Sequence, residues 1–313
     1  MKRSAGFRQV EPSQGSLYFR RFAEVTMLEI GYASSVTGAS GTLSMTQVKS
    51  MSFAQQQADL LRVQGTASRF DAHFHSTYSI VAIKRGAAEI RSARWSETAR
   101  AGDVFFFNPY EIHSACCSRE DAEYDTLYPS KAFLISCLAI DHRGDGPVSI
   151  QTGILRQSRA TRELIDALNT PTVEDKIIEV SLQQILAACV FSTDCADEST
   201  GALARRACML IRKNCTRAMR TEDLARELGV HKSHLARAFG KAVGMAPQTY
   251  IRQVRVAKAR ELITEGFPLS EIALMLDFSD QAHLTREFKK VFGVPPGALS
   301  RALGKHRRID RRL

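Results

Sequence analysis

The 313-residue chain has no long apolar run. Its greasiest stretch, AFLISCLAI at 132–140, is about half of what a helix needs to cross a bilayer, so no membrane span is expected. The opening residues MKRSAGFRQVEPSQGS carry charge without an apolar core, which argues against a secretory signal. The seven cysteines are odd in number and contain no C-x-x-C pair. That excludes a zinc ribbon and a complete disulfide framework, and suits a reducing, cytoplasmic setting. Acidic residues are scarce in one place: residues 201–313 hold 10 Asp and Glu against 23 Lys and Arg, whereas residues 1–200 hold 23 against 20. The net charge of +10 is thus a −3 part joined to a +13 part. A basic domain beside a slightly acidic one implies a localised surface for a polyanion, where Lys and Arg contact phosphates and release counterions. The length allows two domains, each with its own core.

The most strongly patterned stretch is LSEIALMLDFSDQAHLTREFKKVFGVPPGAL, residues 269–299. Ser270 is a candidate helix cap, and Ile272, Ala273 and Leu276 follow at helical spacing. After a break at Asp277-Phe278-Ser279, a second stripe runs through Leu284, Phe288, Val291 and Phe292. Gln281, His283, Thr285, Arg286 and Lys289 are left for other faces. Two short helices about a tight turn, the second polar and basic, describe a helix-turn-helix. The pattern has an upstream copy. Leu224, Ala225 and Leu228 match the first helix at an offset of 48, and Leu235, Arg237, Phe239, Lys241, Gly244 and Pro247 match the second at 49. A repeat that survives a one-residue slip at its turn points to two copies of one DNA-reading unit.

Residues 203–303 resemble the paired helix-turn-helix domain of the AraC/XylS transcription regulators. FSDQAHLTREFKKVFGVPPGAL carries the resemblance, including Phe278, Phe288 and the Gly293-Val294-Pro295-Pro296 close. Asp277 departs from it, standing where the family usually has Gly; Asp enters the left-handed region more readily than most residues, so the turn is expected to survive. By this resemblance the base-reading candidates are Ser233, Ala236 and Arg237 in the first reading helix and Gln281, Ala282, His283, Thr285 and Arg286 in the second. Lys232 faces outward beside them, and Lys241, Lys289 and Lys290 suit phosphates. Both arginines have a rival role, pairing with a phosphate or with an internal carboxylate such as Glu287 or Glu227. In the first unit Thr221 is the candidate cap and Gly229 the turn. A connector near 248–264 would space the two units.

Upstream, YSIVAI at 78–83, residues 87–95 and VFFFN at 104–108 are strand-like, with Gly86 and Gly102 at turns. Residues 15–140 loosely resemble the cupin-type effector domain of many AraC/XylS regulators. His73 and His75, two apart, would share one strand face, and His113 follows the strand that ends at Asn108. Metal-binding cupins place a Glu four or five residues after the histidine pair, where this chain has Ser79 and Ile80. Three readings of the histidines stay open. They line an effector pocket with Tyr78, Asn108 and Glu111; they hold a metal ion with water in the fourth place; or they satisfy neighbouring backbone. The first is the working expectation, with no resident metal or cofactor and no catalytic residue. Cys116 and Cys117 read as ordinary small apolar residues.

From Ser158 the period lengthens. Leu164, Ile165 and Leu168 mark one helix ended by Pro171, and Ile178, Leu182, Ile185, Leu186 and Cys189 mark a longer one, which would either cover the barrel or pair with a second copy. The expected architecture is α+β: a start without structure (1–15), a cupin-like β-barrel (16–140), a helical extension (141–192), an acidic polar linker (193–202), an all-α double helix-turn-helix (203–303) and a basic tail (304–313). Its partners would be double-stranded DNA, a small-molecule effector and, by the resemblance, RNA polymerase and a second copy of the chain. The resemblance favours an activator. Two rivals are a metal-dependent cupin enzyme with a DNA-binding appendage and a constitutive DNA binder with a degenerate effector domain.

Overall fold

The computed structural model describes residues 31–33, 45–51, 60–67, 69–117, 122–138, 148–170, 174–192 and 201–310. The start and most of the linker lie outside these residues, as do the side chains of the basic tail. Strands β1 Gly31–Ala33, β2 Met45–Met51, β3 Leu60–Ala67, β4 Arg69–His73, β5 Ser79–Arg85, β6 Ala87–Ser92, β7 Ser96–Arg100, β8 Val104–Phe107, β9 His113–Cys117 and β10 Ala122–Leu127 come first. Helix α1 Lys131–Leu138, the short strands β11 Ser149–Ile150 and β12 Ile154–Leu155, helices α2 Arg159–Asn169 and α3 Asp175–Ala187, and β13 Phe191–Ser192 follow.

These strands pair antiparallel into a seven-stranded sheet, β1-β2-β3-β10-β5-β8-β12, a four-stranded sheet, β4-β9-β6-β7, and a small β11-β13 pair. Among the described residues the two larger sheets share no strand and face one another through buried side chains. Central strands β5 and β8 explain their own unbroken apolar spelling, because both faces are buried. Val81, Ile83, Phe105 and Phe107 face Ala88, Ile90 and Ala99 of the smaller sheet. Ile80, Ala82, Val104 and Phe106 face the other way, onto α1, α2 and α3. The greasy run at 132 is therefore a buried helix; Phe133 and Leu134 are 3% and 0% exposed. No helix among the described residues is long and apolar enough to cross a membrane. The strand expected over 87–95 stops at Ser92, whose hydroxyl accepts from the amides of Arg94 and Trp95 to form a turn. Strand β7 beyond it was not expected: SETAR has little apolar content and is mostly solvated.

The C-terminal part is all helix: α4 Ala202–Lys213, α5 Thr221–Glu227, α6 Lys232–Val243, α7 Pro247–Glu265, α8 Leu269–Met275, α9 Gln281–Phe292 and α10 Pro296–Asp310. The repeat is physical. Leu224, Ala225 and Leu228 are buried as Ile272, Ala273 and Leu276 are, and Leu235 and Phe239 as Leu284 and Phe288 are. Both turns enter the left-handed region, at Gly229 with φ 70° and at Asp277 with φ 56°. Both second helices end on a left-handed glycine, Gly244 and Gly293. Two expected caps are not caps. Helix α8 starts at Leu269, so Ser270 lies inside it behind Pro268. Helix α5 starts at Thr221, and the Arg220 amide instead donates to the Asp223 carboxylate.

Arg255 of α7 is buried. Its guanidinium donates to the carbonyls of Cys215 and Arg217 at 3.2 and 3.0 Å and pairs with the Asp277 carboxylate at 2.9 Å. One cation thus ties the segment after α4 to the turn of the second unit.

The two halves share core. Val48 and Tyr128 lie in one cluster with residues of α7 to α10. Phe74 sits 4.9 Å from the Tyr250 ring, Arg212 lies 3.9 Å over Tyr110, and Gln253 donates to the Ala72 carbonyl at 2.9 Å.

Candidate functional site

The sequence expected two sites, a reading surface and a pocket, and they meet at one helix. At its N-terminal end, α9 is capped by Asp280, whose carboxylate accepts from the His283 amide at 2.6 Å. That bond holds the carboxyl below its usual range. Gln281, Ala282, Arg286, Lys289 and Lys290 are exposed, His283 and Thr285 half-buried. The His283 ring lies within 3.2 Å of the Ser279 hydroxyl and edge-on to Phe278, and the Thr285 hydroxyl donates to the Gln281 carbonyl. In α6, Lys232, Ser233, Arg237 and Lys241 are exposed and Ala236 half-buried. The His231 ring caps this helix, accepting from the Ser233 amide.

The carboxylate half of the arginines' rival role is not seen: Glu287 pairs with Lys290 at 2.6 Å and Arg252 at 3.5 Å, while Arg237 and Arg286 form no ion pair among the described residues. Lys232 pairs with Glu222 at 2.6 Å, both about half exposed. Such surface pairs are worth only ~0–1 kcal/mol, so a phosphate can displace them.

The pocket is a cavity of about 60 Å³ between the sheets. His73, at the end of β4, stands opposite His113 on β9, and a register irregularity between Phe70 and His73 precedes it. His75 lies just past the strand, so the same-strand argument holds only for His73. All three rings still converge, with centroids 4.3 to 5.2 Å apart. All three are buried, at 4–6% exposure. Burial lowers the pKa of each ring, that of His75 further through the positive charges of His73, His113 and Arg260. The Nδ1 atoms of His73 and His113 lie 2.7 and 2.8 Å from the carbonyls of Asp71 and Glu111. A carbonyl only accepts, so in the neutral rings these nitrogens carry the proton and Nε2 carries the lone pair.

The other three expected pocket residues do not line this cavity. The Tyr78 hydroxyl donates to the Val148 carbonyl, on the far side of the large sheet. Asn108 bonds the Ile150 backbone in both directions, at 2.8 and 3.0 Å. The Glu111 carboxylate accepts from Arg94 and from the Asn108 amide, both at 2.9 Å. The last two form a clamp between the sheets and β11. In their place the cavity is lined by Phe70, Ser79, Phe107, Tyr124 and Tyr128, and by Val291 and Phe292 from the C-terminal end of α9. The Phe292 ring is 5.0 Å from His75 and 5.9 Å from Tyr128. Helical spacing marked Phe292 as apolar, but no local signal says that its core belongs in part to the other domain. Burial raises the thiol pKa to about 11 at Cys137 and about 12 at Cys189, so neither offers a reactive thiolate.

Residues 58–177 match the AraC-like ligand binding domain, and residues 224–302 match a helix-turn-helix domain. The HTH-type transcriptional regulator YbfI of Bacillus subtilis is 24% identical over 235 residues, 71% of this chain and 84% of that protein. The HTH-type transcriptional activator AarP of Providencia stuartii is 37% identical over 87 residues, 28% of this chain and 64% of that one. Among solved structures, unsaturated fatty acid bound ToxT from Vibrio cholerae aligns with a TM-score of 0.47 and 17% identity, over 79% of this chain and 97% of that chain.

Proposed function

The chain belongs to the AraC family of transcription regulators, and from that premise we propose that it is an effector-responsive, sequence-specific activator. In this reading α6 and α9 enter successive major grooves on one face of DNA, which asks for centres about 34 Å apart. Ser233, Ala236 and Arg237, with Gln281, Ala282, His283, Thr285 and Arg286, read bases. Arg to guanine and Gln to adenine supply bidentate contacts. Lys232, Lys241, Lys289 and Lys290 contact phosphates. The small molecule occupies the cavity walled by His73, His75 and His113. Residues 16–140 serve as effector domain, 141–192 as helical extension and possible dimer element, 193–202 as linker and 203–303 as reader, in the cytoplasm and with RNA polymerase as a partner.

One observation carries this proposal. Helix α9 presents Gln281 and Arg286 to solvent at one end and closes the cavity with Val291 and Phe292 at the other. A ligand that fits the cavity better in one setting of α9 favours that setting, as coupling between two sites requires. The test is selection of bound fragments from genomic DNA by the full chain, followed by affinity measurements on the enriched site with metabolites made by the neighbouring genes. A shared asymmetric site and a metabolite that changes affinity are expected. Uniform binding to unrelated sequences, unaltered by every metabolite, would leave the constitutive binder as the better description.

A further inference from the structure

We propose that His73, His75 and His113 form a binding site for one divalent transition-metal ion of the zinc class, in the cavity beneath α9. This departs from the sequence expectation of no resident metal, places the ion on the same three rings that wall the proposed effector cavity, and does not rest on the DNA-reading assignment.

The donor set is assembled before any ion arrives. One nitrogen from each ring lies within 4.8 Å of the others. Three imidazole nitrogens at ~2.0–2.1 Å from one ion sit ~3.3 Å apart, so ring rotations of about an ångström close the set. Two rings are already oriented. The carbonyls of Asp71 and Glu111 take the Nδ1 protons of His73 and His113, which turns each Nε2 lone pair away from the backbone, the arrangement that outer partners impose on metal-binding histidines. The third ring has an unmet need, since Nδ1 of His75 is buried with no hydrogen-bond partner among the described residues. Leaving such an atom dry is unfavourable, and coordination would satisfy it. Phe107 stacks on His113 at 3.6 Å and Phe292 packs on His75, so the rings are held by packing as well as by hydrogen bonds.

The rest of the cavity indicates the coordination. Imidazole donors suit zinc, copper, iron or nickel and not calcium or magnesium. Three neutral donors leave the ion's charge uncompensated and one position open. Ser79, whose buried hydroxyl also lacks a partner, lines the same cavity. Arg260, stacked over Tyr128 at 5.5 Å, adds a further positive charge close to His75. The open position therefore favours water or a small anion over another neutral donor.

Cobalt(II) and zinc alone are sufficient probes. Full-length protein stripped with a chelator is titrated with Co²⁺. One equivalent is expected to bind, with the visible bands of a low-coordinate, nitrogen-ligated ion that Zn²⁺ then bleaches. His75→Gln and His113→Gln are each expected to bind at least ~10-fold more weakly, while the exposed His234→Gln binds like the parent. Zn²⁺ should also raise the melting temperature of the parent and of His234→Gln but not of the other two, since only a folded site gains from the ligand. If a variant does not fold, the parent's own titration and melting shift still decide. No uptake by the parent at one equivalent, equal uptake by His75→Gln and His113→Gln, or equal loss in His234→Gln would overturn the site. None of these measurements uses DNA, so failure of the DNA-reading assignment leaves them unaffected.

Discussion

Asp277 occupies a turn where a side chain is normally a liability, and its surroundings explain why it stays. Its φ of 56° would suit glycine, but glycine offers nothing to Arg255, whose buried guanidinium has only carbonyl partners besides this carboxylate. Asp277→Ala keeps the left-handed strain and removes the counter-charge. Because the Asp277 side chain is half exposed, the loss falls below that of a fully buried pair, at about 1–3 kcal/mol in urea unfolding. Asp277→Asn should lie between Ala and the parent; a variant series with no change would deny the ion pair any role. Arg286→Ala should relax preference at one base position, losing ~1–3 kcal/mol, or roughly 5- to 150-fold, on the best site alone. Lys289→Ala should weaken all sequences alike and reduce the salt slope by about 1. Anisotropy titrations on matched and mismatched sites separate the two. Equal loss on every sequence for both would misplace the second reading helix. At this scale the sequence was partly legible. The three histidines came from their spacing to each other and to the Gly102-Asp103 turn, whereas Asn108 and Glu111 were polar residues near a pocket that had a structural duty instead. Nothing local distinguishes those two cases.

The helices of the repeat followed from apolar period, and in the structure Gly244, Gly266 and Gly293 stand at the ends of α6, α7 and α9. Strand pairing was less legible, because β4 meets β9 across some forty residues of chain and no local pattern encodes the partner. Helix α9 has the most demanding position, with Phe288 in the helical core and Phe292 between that core and the cavity. Phe292→Leu keeps an apolar roof while removing the ring contacts with His75 and Tyr128, so it should fold with a loss of about 1 kcal/mol and should blunt any ligand effect on DNA affinity. A variant that responds to ligand as the parent does would show that the roof is not the route. Helix α3 poses the other question at this scale. Ile177 and Val180 are 50% and 42% exposed while Ile178 and Leu182 are buried in the cluster that α3 shares with α1, α2 and the large sheet. Helix α3 thus buries one face against α1 and α2 and keeps an outward apolar pair. Ile177→Glu with Val180→Glu should leave the fold intact and turn a dimer into a monomer in sedimentation, if a second copy covers that face; unchanged mass in a dimeric parent would place the interface elsewhere.

Across the whole molecule, charge division and repeat were enough to separate a reader from a sensor, and the two-domain α+β layout could be read from the sequence. The packing of one half on the other could not be read, since the residues that form it, Phe74, Tyr110, Tyr128 and Tyr250, look like ordinary core positions of their own domains. Residues 201–313 alone should bind DNA without any small molecule. Removing the sensor bares the surface that Phe74 and Tyr128 cover, so the fragment should also be less soluble than the parent. A fragment that folds by circular dichroism yet ignores DNA would contradict a modular reader. In the proposed function, helix α9, twelve residues and about 18 Å long, carries reading side chains at one end and the sensor's roof at the other. On that proposal mutations there would be pleiotropic: a lineage that reshapes its roof for a new signal would shift its hold on its old promoters in the same step. New inducers and new regulons would then be acquired together.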